Sequence, residues 1–419
     1  MISSLRIHNF KSIADAQLDF GRVNLLIGAN GSGKSNLLEA IGLYSACLGR
    51  IDPDSLSSKG VRLSAVRIFT SSFKNRRTST SIRLDGSING IQYAASLRTK
   101  PDSSQLEFHS ETLSAKRTTI FRRTPTTARM HRSNSSSLEV PLIEGNSHRG
   151  LWDTHGSSAH LTPDTRVQLD AVAKYVIYAP QTAVMRGLVP DNRATEPLGL
   201  TGGRLPQALR ELLAQMVGTN RKEITRVLKI IWTPGWAETV EVGPPNLDVV
   251  PDVLPTAREV IYIVDKYMKK NRNTLSLYDA SEGTLFLLFV ATMLAHAKSP
   301  PIFALDNVDG TLNPAMVKSL VAHIVTIICG DRNKGYALAP QRQVFLTSHN
   351  PSALDAVDLF ESDQRLFVVS RNASGHTVFD RIQPPQGMTK EDWIVTRRGK
   401  TLSQLWLDGR IRNALGWES

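Results

Sequence analysis

Residues 23–36 constrain the fold of this chain more than any other stretch. The apolar run Val23–Ile27 precedes a glycine-rich segment, GANGSGKS at residues 28–35, and an apolar-periodic stretch begins at Asn36. This order predicts a strand, a tight loop and a helix. Glycines let the loop backbone turn its N–H groups toward phosphate oxygens, and the helix N-terminus adds partial positive charge. The segment therefore predicts a phosphate-binding loop.

The residues of this loop have distinct predicted roles. Lys34 is placed to reach the β- and γ-phosphates of a nucleoside triphosphate, and the Ser35 hydroxyl is placed to bind Mg²⁺. ATP and Mg²⁺ are the predicted cofactors. The other loop residues expected to contact ATP are Asn30, Gly31, Ser32, Gly33 and Asn36.

Length and composition exclude several other classes of protein. The 419 residues, 41% of them hydrophobic, are enough for a large core and about two or three domains. The longest apolar stretch, Leu285 to Ala297, is too short to cross a bilayer, and the N-terminus has no signal-peptide pattern. We therefore expect a cytoplasmic protein with no membrane partner. Cys47 and Cys329 are too few for a disulfide framework or a zinc site.

Positive charge is concentrated in the middle of the chain. The formal net charge is +12, and residues 71–161 are rich in Ser, Thr and Arg. Residues 116–132 are a candidate nucleic-acid surface, but aromatic side chains for base stacking are sparse, so a solvated insertion remains the alternative. Within residues 71–161, the basic residues that stand almost free of acidic neighbours are Lys74, Arg76, Arg77, Lys116, Arg117, Arg122, Arg123, Arg129 and Arg132.

Hydrophobic periodicity predicts the remaining elements. Alternation predicts a hairpin over residues 1–20, with its turn at 9–12, and another over 80–97, with its turn at Asp85-Gly86. The middle of the chain is predicted to contain a strand at 172–179, a helical region at 206–231 and a connector at 243–255. The last block predicts a largely parallel sheet; its strands are 260–264, 302–305, 344–346 and 365–369, and its helices are 285–297, 315–328 and 352–356.

Three polar stretches stand at the ends of these elements. Asp306 follows an apolar strand and is expected to assist in holding Mg²⁺. His349 follows another strand and is expected to sense the γ-phosphate. Ser281, Glu282 and Gly283 open a strongly apolar helix and form a second candidate anion-binding helix start. Two such starts in one chain suggest that nucleotide is shared between two copies.

The order of these features resembles the ABC-type ATPase heads of the SMC-like and OLD-type families, including small AAA-family ATPases of prokaryotic anti-phage defence operons. The likeness covers both ends of the chain and leaves the middle unmatched. It is carried by the phosphate loop and by residues 9–13, 281–283, 306–314, 348–351 and 402–406.

The resemblance implies further roles. Ser281 and Gly283 correspond to the signature loop that completes the site of the facing subunit, residues 310–313 to the loop that crosses the dimer interface, and His349 to the switch histidine. Lys11 is expected to contact ATP, and Gln181 is a candidate contact for Mg²⁺ and the attacking water. The family usually has Glu directly after the strand-end Asp, whereas this chain has Asn307. Asn307 and His349 are therefore the main catalytic candidates, and Asp309 could partly substitute for the missing carboxylate.

The fold class implied is an α/β P-loop NTPase head of ABC type, with a mixed sheet, an antiparallel β subdomain and an inserted helical and basic region. Four parts are predicted. Residues 1–100 hold the N-terminal half of the head with the phosphate loop and β subdomain, and residues 101–165 form the basic insertion. Residues 166–255 form a helical lobe and connector, and residues 256–419 form the C-terminal half of the head. The residues that follow the His349 helix contain no paired Asp motif of an OLD-type nuclease domain, so we expect any nuclease activity to come from another protein.

Three functions stay open at this stage. The first is a homodimerising ATPase that hydrolyses slowly and controls a separately encoded effector, a nuclease or toxin. The second is a DNA-repair or DNA-end-binding ATPase, which the basic segment favours and the lack of a coiled coil disfavours. The third is a P-loop kinase. The second helix start argues against it, because a kinase does not need a second helix start that faces a nucleotide.

Overall fold

A computed structural model describes most of the chain. The described residues are 1–74, 78–99, 105–116, 118–131, 137–140, 147–159, 161–191, 195–215, 221–231, 235–250, 258–330 and 342–411. Of the basic residues named above, Arg76, Arg77, Arg117 and Arg132 lie outside these ranges.

Strands and helices are both spread along the described parts of the chain. The strands are β1 Ile2–Phe10, β2 Ile13–Asp19, β3 Val23–Ile27, β4 Ser81–Ile88, β5 Ile91–Thr99, β6 Leu106–Ala115, β7 Thr118–Arg123, β8 Ala128–His131, β9 Ser137–Val140, β10 Val176–Tyr178, β11 Ala237–Gly243, β12 Val260–Asp265, β13 Thr274–Ser276, β14 Ile302–Leu305, β15 Gln343–Ser348, β16 Gln364–Arg371 and β17 Thr377–Ile382. The α-helices are α1 Lys34–Cys47, α2 Pro53–Ser58, α3 Val66–Phe69, α4 Leu151–His155, α5 Pro163–Ala173, α6 Thr182–Met185, α7 Leu205–Gln215, α8 Arg221–Ile231, α9 Glu282–Ala295, α10 Pro314–Cys329, α11 Lys390–Thr396 and α12 Leu402–Leu407. Residues Gly156–Ser158 and Pro351–Ala356 form 3₁₀ turns.

The chain separates into two compact units. The first comprises residues 1–177, 300–308 and 339–419, and the second comprises residues 178–299 and 309–338. The chain therefore leaves the first unit and returns to it twice. Asp306 and His349 belong to the first unit, whereas Asp309 and the 281–283 segment belong to the second.

A six-stranded mixed sheet of the first unit carries the phosphate loop. Its order is β10-β14-β15-β3-β16-β17. Strands β14, β15, β3 and β16 are parallel, and β17 pairs with β16 in the antiparallel direction. Strand β3 is buried at every residue, as the apolar run predicts for a strand covered on both faces. The predicted α/β class with a mixed sheet is confirmed.

The antiparallel β subdomain is larger than predicted. It is an eight-stranded sheet in the order β2-β1-β4-β5-β6-β7-β8-β9. Two boundaries from the sequence need correction. The second hairpin turns at Asn89-Gly90, both with positive φ. Asp85 and Gly86 instead lie inside β4 and pair with Ala94 and Tyr93 of β5. The predicted division at residue 100 falls inside this sheet, because Thr99 of β5 pairs with Leu106 of β6.

The basic segment does not present all its charges to solvent. Arg122 and Arg129 are exposed and stand opposite each other on β7 and β8. Arg123 instead points inward, two residues after buried Phe121, and its Nε lies 3.7 Å from Oε2 of the buried Glu111. Burial raises the pKa of Glu111 to about 7, although Arg123 opposes this shift. Arg123 is therefore a core residue, and its assignment to a phosphate-binding surface was wrong.

The second unit is helical apart from one small sheet. Helix α9 has buried residues from Thr284 to Leu294, in line with its predicted apolar character. Strand β12 is confirmed, but it pairs with β11 and β13 in an antiparallel sheet and takes no part in the parallel one. The strand predicted at 172–179 is shorter, because α5 extends to Ala173. Among the described helices, none combines the length and the apolar character needed to cross a membrane.

Candidate functional site

The carboxyl ends of three parallel strands bring the main predicted residues together. Strands β3, β14 and β15 are neighbours in the sheet, with Ile27 opposite Ser348 and Leu305 opposite Leu346. The phosphate loop, Asp306 and His349 follow these strands directly. Because parallel strands end at the same edge, residues far apart in sequence converge here.

The conformation of the phosphate loop depends on its glycines. A Cβ on Gly28 would lie 2.1 Å from the Val369 carbonyl oxygen, and Gly31 and Gly33 have φ of 74° and 112°. A larger residue would therefore clash or be strained. Asn30 and Gly31 are exposed at the mouth of the loop, as a ligand contact requires. The Ser32 Oγ is buried and has no hydrogen-bond partner among the described residues, which fits a donor available to an anion.

Lys34 is buried with its ammonium inside the loop. Its Nζ donates to the carbonyl oxygens of Gly28 at 2.7 Å and Ala29 at 2.9 Å. The Nδ1 of His349 lies 3.2 Å from the same ammonium and 3.1 Å from the Gly28 oxygen. The structure thus places His349 beside Lys34. Its role as a γ-phosphate sensor stays a prediction.

Ser35 and Asp306 form a pair suited to Mg²⁺. The Ser35 Oγ donates to Asp306 Oδ2 at 3.0 Å, and Asp306 Oδ1 accepts from Thr347 Oγ1 at 2.5 Å. Mg²⁺ prefers oxygen ligands and takes few of them from protein. A hydroxyl and a carboxylate at the mouth of the loop fit that preference, and Thr347 fixes the carboxylate's orientation. When bound, the ion would neutralise charge on the phosphates.

Asn307 follows Asp306 at the exposed edge of the sheet. Its φ is 61°, in the left-handed region that Asn tolerates better than most residues. Its backbone N–H donates to Thr347 Oγ1 at 2.7 Å. Thr347 thus holds both Asp306 and Asn307, a role that the sequence did not reveal because Thr347 lies inside β15.

The hairpin β16–β17 fastens the outside of the phosphate loop. Thr377 Oγ1 donates to the Ser32 carbonyl at 3.0 Å, and Arg371 Nε donates to the Gly31 carbonyl at 3.2 Å. The Ser12 Oγ lies 2.7 Å from Thr377 Oγ1 and accepts from Asn36 Nδ2 at 2.6 Å. We call this set of contacts the hairpin clasp. Sequence reasoning missed it, since no motif marks Arg371 or Thr377.

Lys11 points to a different partner from the one predicted. Its ammonium forms an ion pair with the buried carboxylate of Glu39 on α1. Burial lowers the pKa of Lys11, and Glu39 opposes this shift. Arg62 also donates to Glu39, through Nε at 2.5 Å, and its Nη2 lies 3.4 Å from Asn36 Oδ1. A contact between Lys11 and ATP stays a prediction and would require Lys11 to share its ammonium with Glu39.

Comparison with known protein families gives a match that covers most of this chain. The family model described as "AAA domain, putative AbiEii toxin, Type IV TA system" matches residues 23–355, which include the phosphate loop, Asp306 and His349. This chain belongs to that AAA-domain family. The match includes strands β3, β10, β14 and β15 of the six-stranded sheet and ends before β16 and β17.

Shorter matches connect this AAA-domain protein to other proteins. It is 41% identical over 92 residues to the DNA replication and repair protein RecF of Psychromonas ingrahamii, covering 21% of this chain and 25% of that protein. It is 40% identical over 70 residues to the DNA double-strand break repair Rad50 ATPase of Archaeoglobus fulgidus, covering 15% of this chain and 8% of that protein. Both matches span far less than two thirds of the relatives' length. The structural alignment with the SMC head domain from Thermotoga maritima covers 91% of this chain and 99% of that domain's chain, with 16% identity and a TM-score of 0.43.

The second unit of the AAA-domain protein holds the remaining candidates. Ser281 caps α9, because its Oγ accepts from the Thr284 N–H at 3.2 Å, and both Ser281 and Glu282 are exposed. A Cβ on Gly283 would lie 3.2 Å from the Thr311 carbonyl oxygen. The role of this segment in the site of a facing subunit stays a prediction.

Gln181 and Asp309 also belong to this second unit. Gln181 is exposed, and its backbone N–H donates to the Thr201 carbonyl at 2.9 Å. Asp309 is half-buried and accepts, through its carbonyl, a hydrogen bond from the Leu312 N–H. A metal contact of Gln181 and a catalytic role of Asp309 both stay predictions.

Proposed function

We propose that this protein binds ATP with Mg²⁺ and hydrolyses it slowly as an ABC-type ATPase. The observation that carries the proposal is the set formed by the phosphate loop, the Ser35–Asp306 pair and the adjacent His349. The phosphate loop, Asp306 and His349 follow three different strands, and together they offer a phosphate cradle, oxygen ligands for the ion and a polar group near the γ-phosphate. Membership of the AAA-domain family supports the same function.

We further propose that two copies close around nucleotide and gate a separate effector. The helix start at Ser281–Gly283, of which Ser281 and Glu282 are exposed, supports a site completed by the facing copy. An effector, a nuclease or toxin in anti-phage defence, agrees with the resemblance of the chain and with the toxin–antitoxin wording of the family description. A cytoplasmic location is part of this proposal.

A DNA-repair ATPase is the second candidate function. Its support is the local similarity to proteins named RecF and Rad50 and the neighbouring exposed Arg122 and Arg129, which face each other across two strands. Like charges in that position destabilise a sheet unless an anion lies between them. A P-loop kinase has no comparable support.

The test of ATP binding is Lys34→Ala, with Lys318→Ala as a control at an exposed lysine. Removing a charged hydrogen-bond donor should weaken ATP binding by roughly 10- to 100-fold, because such contacts contribute about 1.5–3 kcal/mol each. Isothermal titration calorimetry would measure both variants. An affinity of Lys34→Ala equal to that of the control would refute the phosphate-loop assignment.

A further inference from the structure

The turn that joins β12 to β13 carries concentrated positive charge. Residues 266–272 include four cationic side chains and no acidic one, and all seven residues are exposed. Among the described residues, the side chains of Lys269, Lys270 and Arg272 form no ion pair or hydrogen bond. Their mutual repulsion is therefore uncompensated within the described part of the protein. We call residues 266–272 the basic tip.

The backbone of the basic tip is nevertheless well defined. The Asp265 N–H donates to the Asn273 carbonyl at 2.7 Å, and the Arg272 N–H donates to the Lys269 carbonyl at 2.7 Å. The Asp265 carboxylate accepts from the Tyr267 N–H at 2.8 Å. The nearest carboxylate thus caps the turn instead of pairing with a lysine. The four cations are held on a short ribbon that protrudes from the three-stranded sheet.

An aromatic ring accompanies these cations. Tyr267 is 77% exposed and Met268 is 43% exposed, unusual values for such side chains. The Lys266 Nζ lies 4.9 Å from the centre of the Tyr267 ring. Cations that follow a backbone, combined with a ring on which a base can stack, are typical of proteins that bind single-stranded nucleic acid.

We propose that the basic tip is a nucleic-acid binding site that prefers strands with unstacked bases. Lysine is depleted at protein–protein interfaces, whereas Lys and Arg supply most contacts to phosphate. The composition of the tip therefore favours nucleic acid over an acidic protein. The site differs from the Arg122–Arg129 pair, which lies in the other unit of the chain.

The basic tip is also connected to the signature segment. Four residues separate the end of β13 from Ser281, and this link is held in place: Ser276 Oγ donates to Asp279 Oδ2 at 2.8 Å, and Arg186 Nη2 donates to the Ala280 carbonyl at 2.7 Å. Nucleic acid at the tip is thus placed to bias Ser281 and Gly283. This regulatory step rests on the proposed function, whereas binding at the tip does not.

The experiment compares two changes at the tip in nucleotide-free protein. Fluorescence anisotropy would measure binding of fluorescein-labelled oligo(dT) and of a duplex of equal length over a salt series. Lys269→Glu/Lys270→Glu should reduce the slope of log affinity against log salt for oligo(dT) by about 1.4, or about 0.7 for each phosphate that the variant no longer neutralises. Tyr267→Ala should weaken oligo(dT) by about 5- to 100-fold and leave the slope unchanged, because base stacking contributes about 1–3 kcal/mol.

The control is Lys222→Glu/Lys229→Glu on α8, which makes the same charge change at exposed lysines of the same unit. It should keep the wild-type slope. If the wild-type protein binds neither oligonucleotide, the proposal is overturned and an acidic protein becomes the favoured partner of the basic tip. Loss of binding in Arg122→Glu/Arg129→Glu alone would overturn the proposal and place the nucleic-acid site on the eight-stranded sheet. Failure of the ATPase proposal would instead appear as wild-type protein that does not bind ATP, and oligo(dT) binding in Lys34→Ala would be unaffected.

Discussion

At the scale of single residues, Asn307 sets the expected rate of hydrolysis. It occupies the position after Asp306, is exposed, and is fixed through its backbone by Thr347. An amide can hold a water molecule by hydrogen bonding but cannot accept its proton at neutral pH. Because phosphoryl transfer depends mainly on positioning and electrostatics, some hydrolysis should remain.

Asn307→Glu should therefore raise the single-turnover rate by about ten-fold or more, toward the roughly 10²-fold that general-base catalysis contributes. Asn307→Gln is the matched control, since it has the length of Glu without the charge, and it should show no such gain. Both variants place a longer side chain at a positive φ, so their thermal stability should fall alike. A fast wild-type rate that does not increase in Asn307→Glu would direct attention to Asp309 or Gln181.

At the scale of elements, the hairpin clasp explains how a glycine-rich loop keeps one shape. Thr377 accepts from Ser12 and donates to the Ser32 carbonyl, and Arg371 donates to the Gly31 carbonyl, so that these two carbonyl oxygens of the loop are bonded from the hairpin. Gly33 makes the clasp possible, because a Cβ there would lie 2.2 Å from Thr377 Oγ1.

Thr377→Val removes this hydroxyl with little change in shape, and it should weaken binding of ATP and of inorganic tripolyphosphate alike, by about 5-fold, because one hydrogen bond contributes about 1 kcal/mol. Thr377→Ser should restore most of the affinity. Calorimetric titration with both ligands would show this. Equal affinities of the Val and Ser variants would mean that Thr377 merely fills space.

The features that the sequence predicted best are those that a local motif marks. The phosphate loop and Asp306 were predictable because each follows an apolar run that predicts a strand, and parallel strands end together. Thr377 and Arg371 were not, since they come from strands late in the chain and act through backbone carbonyls that any sequence possesses. Arg123 was misjudged from its charge, although its position two residues after Phe121 indicates the same buried face of β7.

At the scale of the whole molecule, the decisive question is whether two copies enclose the nucleotide. Ser281 and Glu282 are exposed and Gly283 is half-buried, and this helix start stands apart in sequence from the phosphate loop. Gly283→Arg should block ATP-dependent dimerisation by bulk, as measured by multi-angle light scattering with and without ATP. Gly283→Ala adds the Cβ that crowds Thr311 without that bulk, and it serves as the control. Dimerisation of the Arg variant equal to that of the Ala variant would contradict the model.

The position of Lys34 also bears on which anions can occupy the loop. Its ammonium already has two carbonyl partners, those of Gly28 and Ala29, so an arriving anion competes with the protein's own oxygens. The net affinity is the difference between two sets of hydrogen bonds, not the sum of the new ones. Orthophosphate, with few contacts to offer, gains little from that exchange, whereas a triphosphate that spans the whole loop gains more. We therefore expect the loop to discriminate against orthophosphate and to bind a triphosphate more tightly.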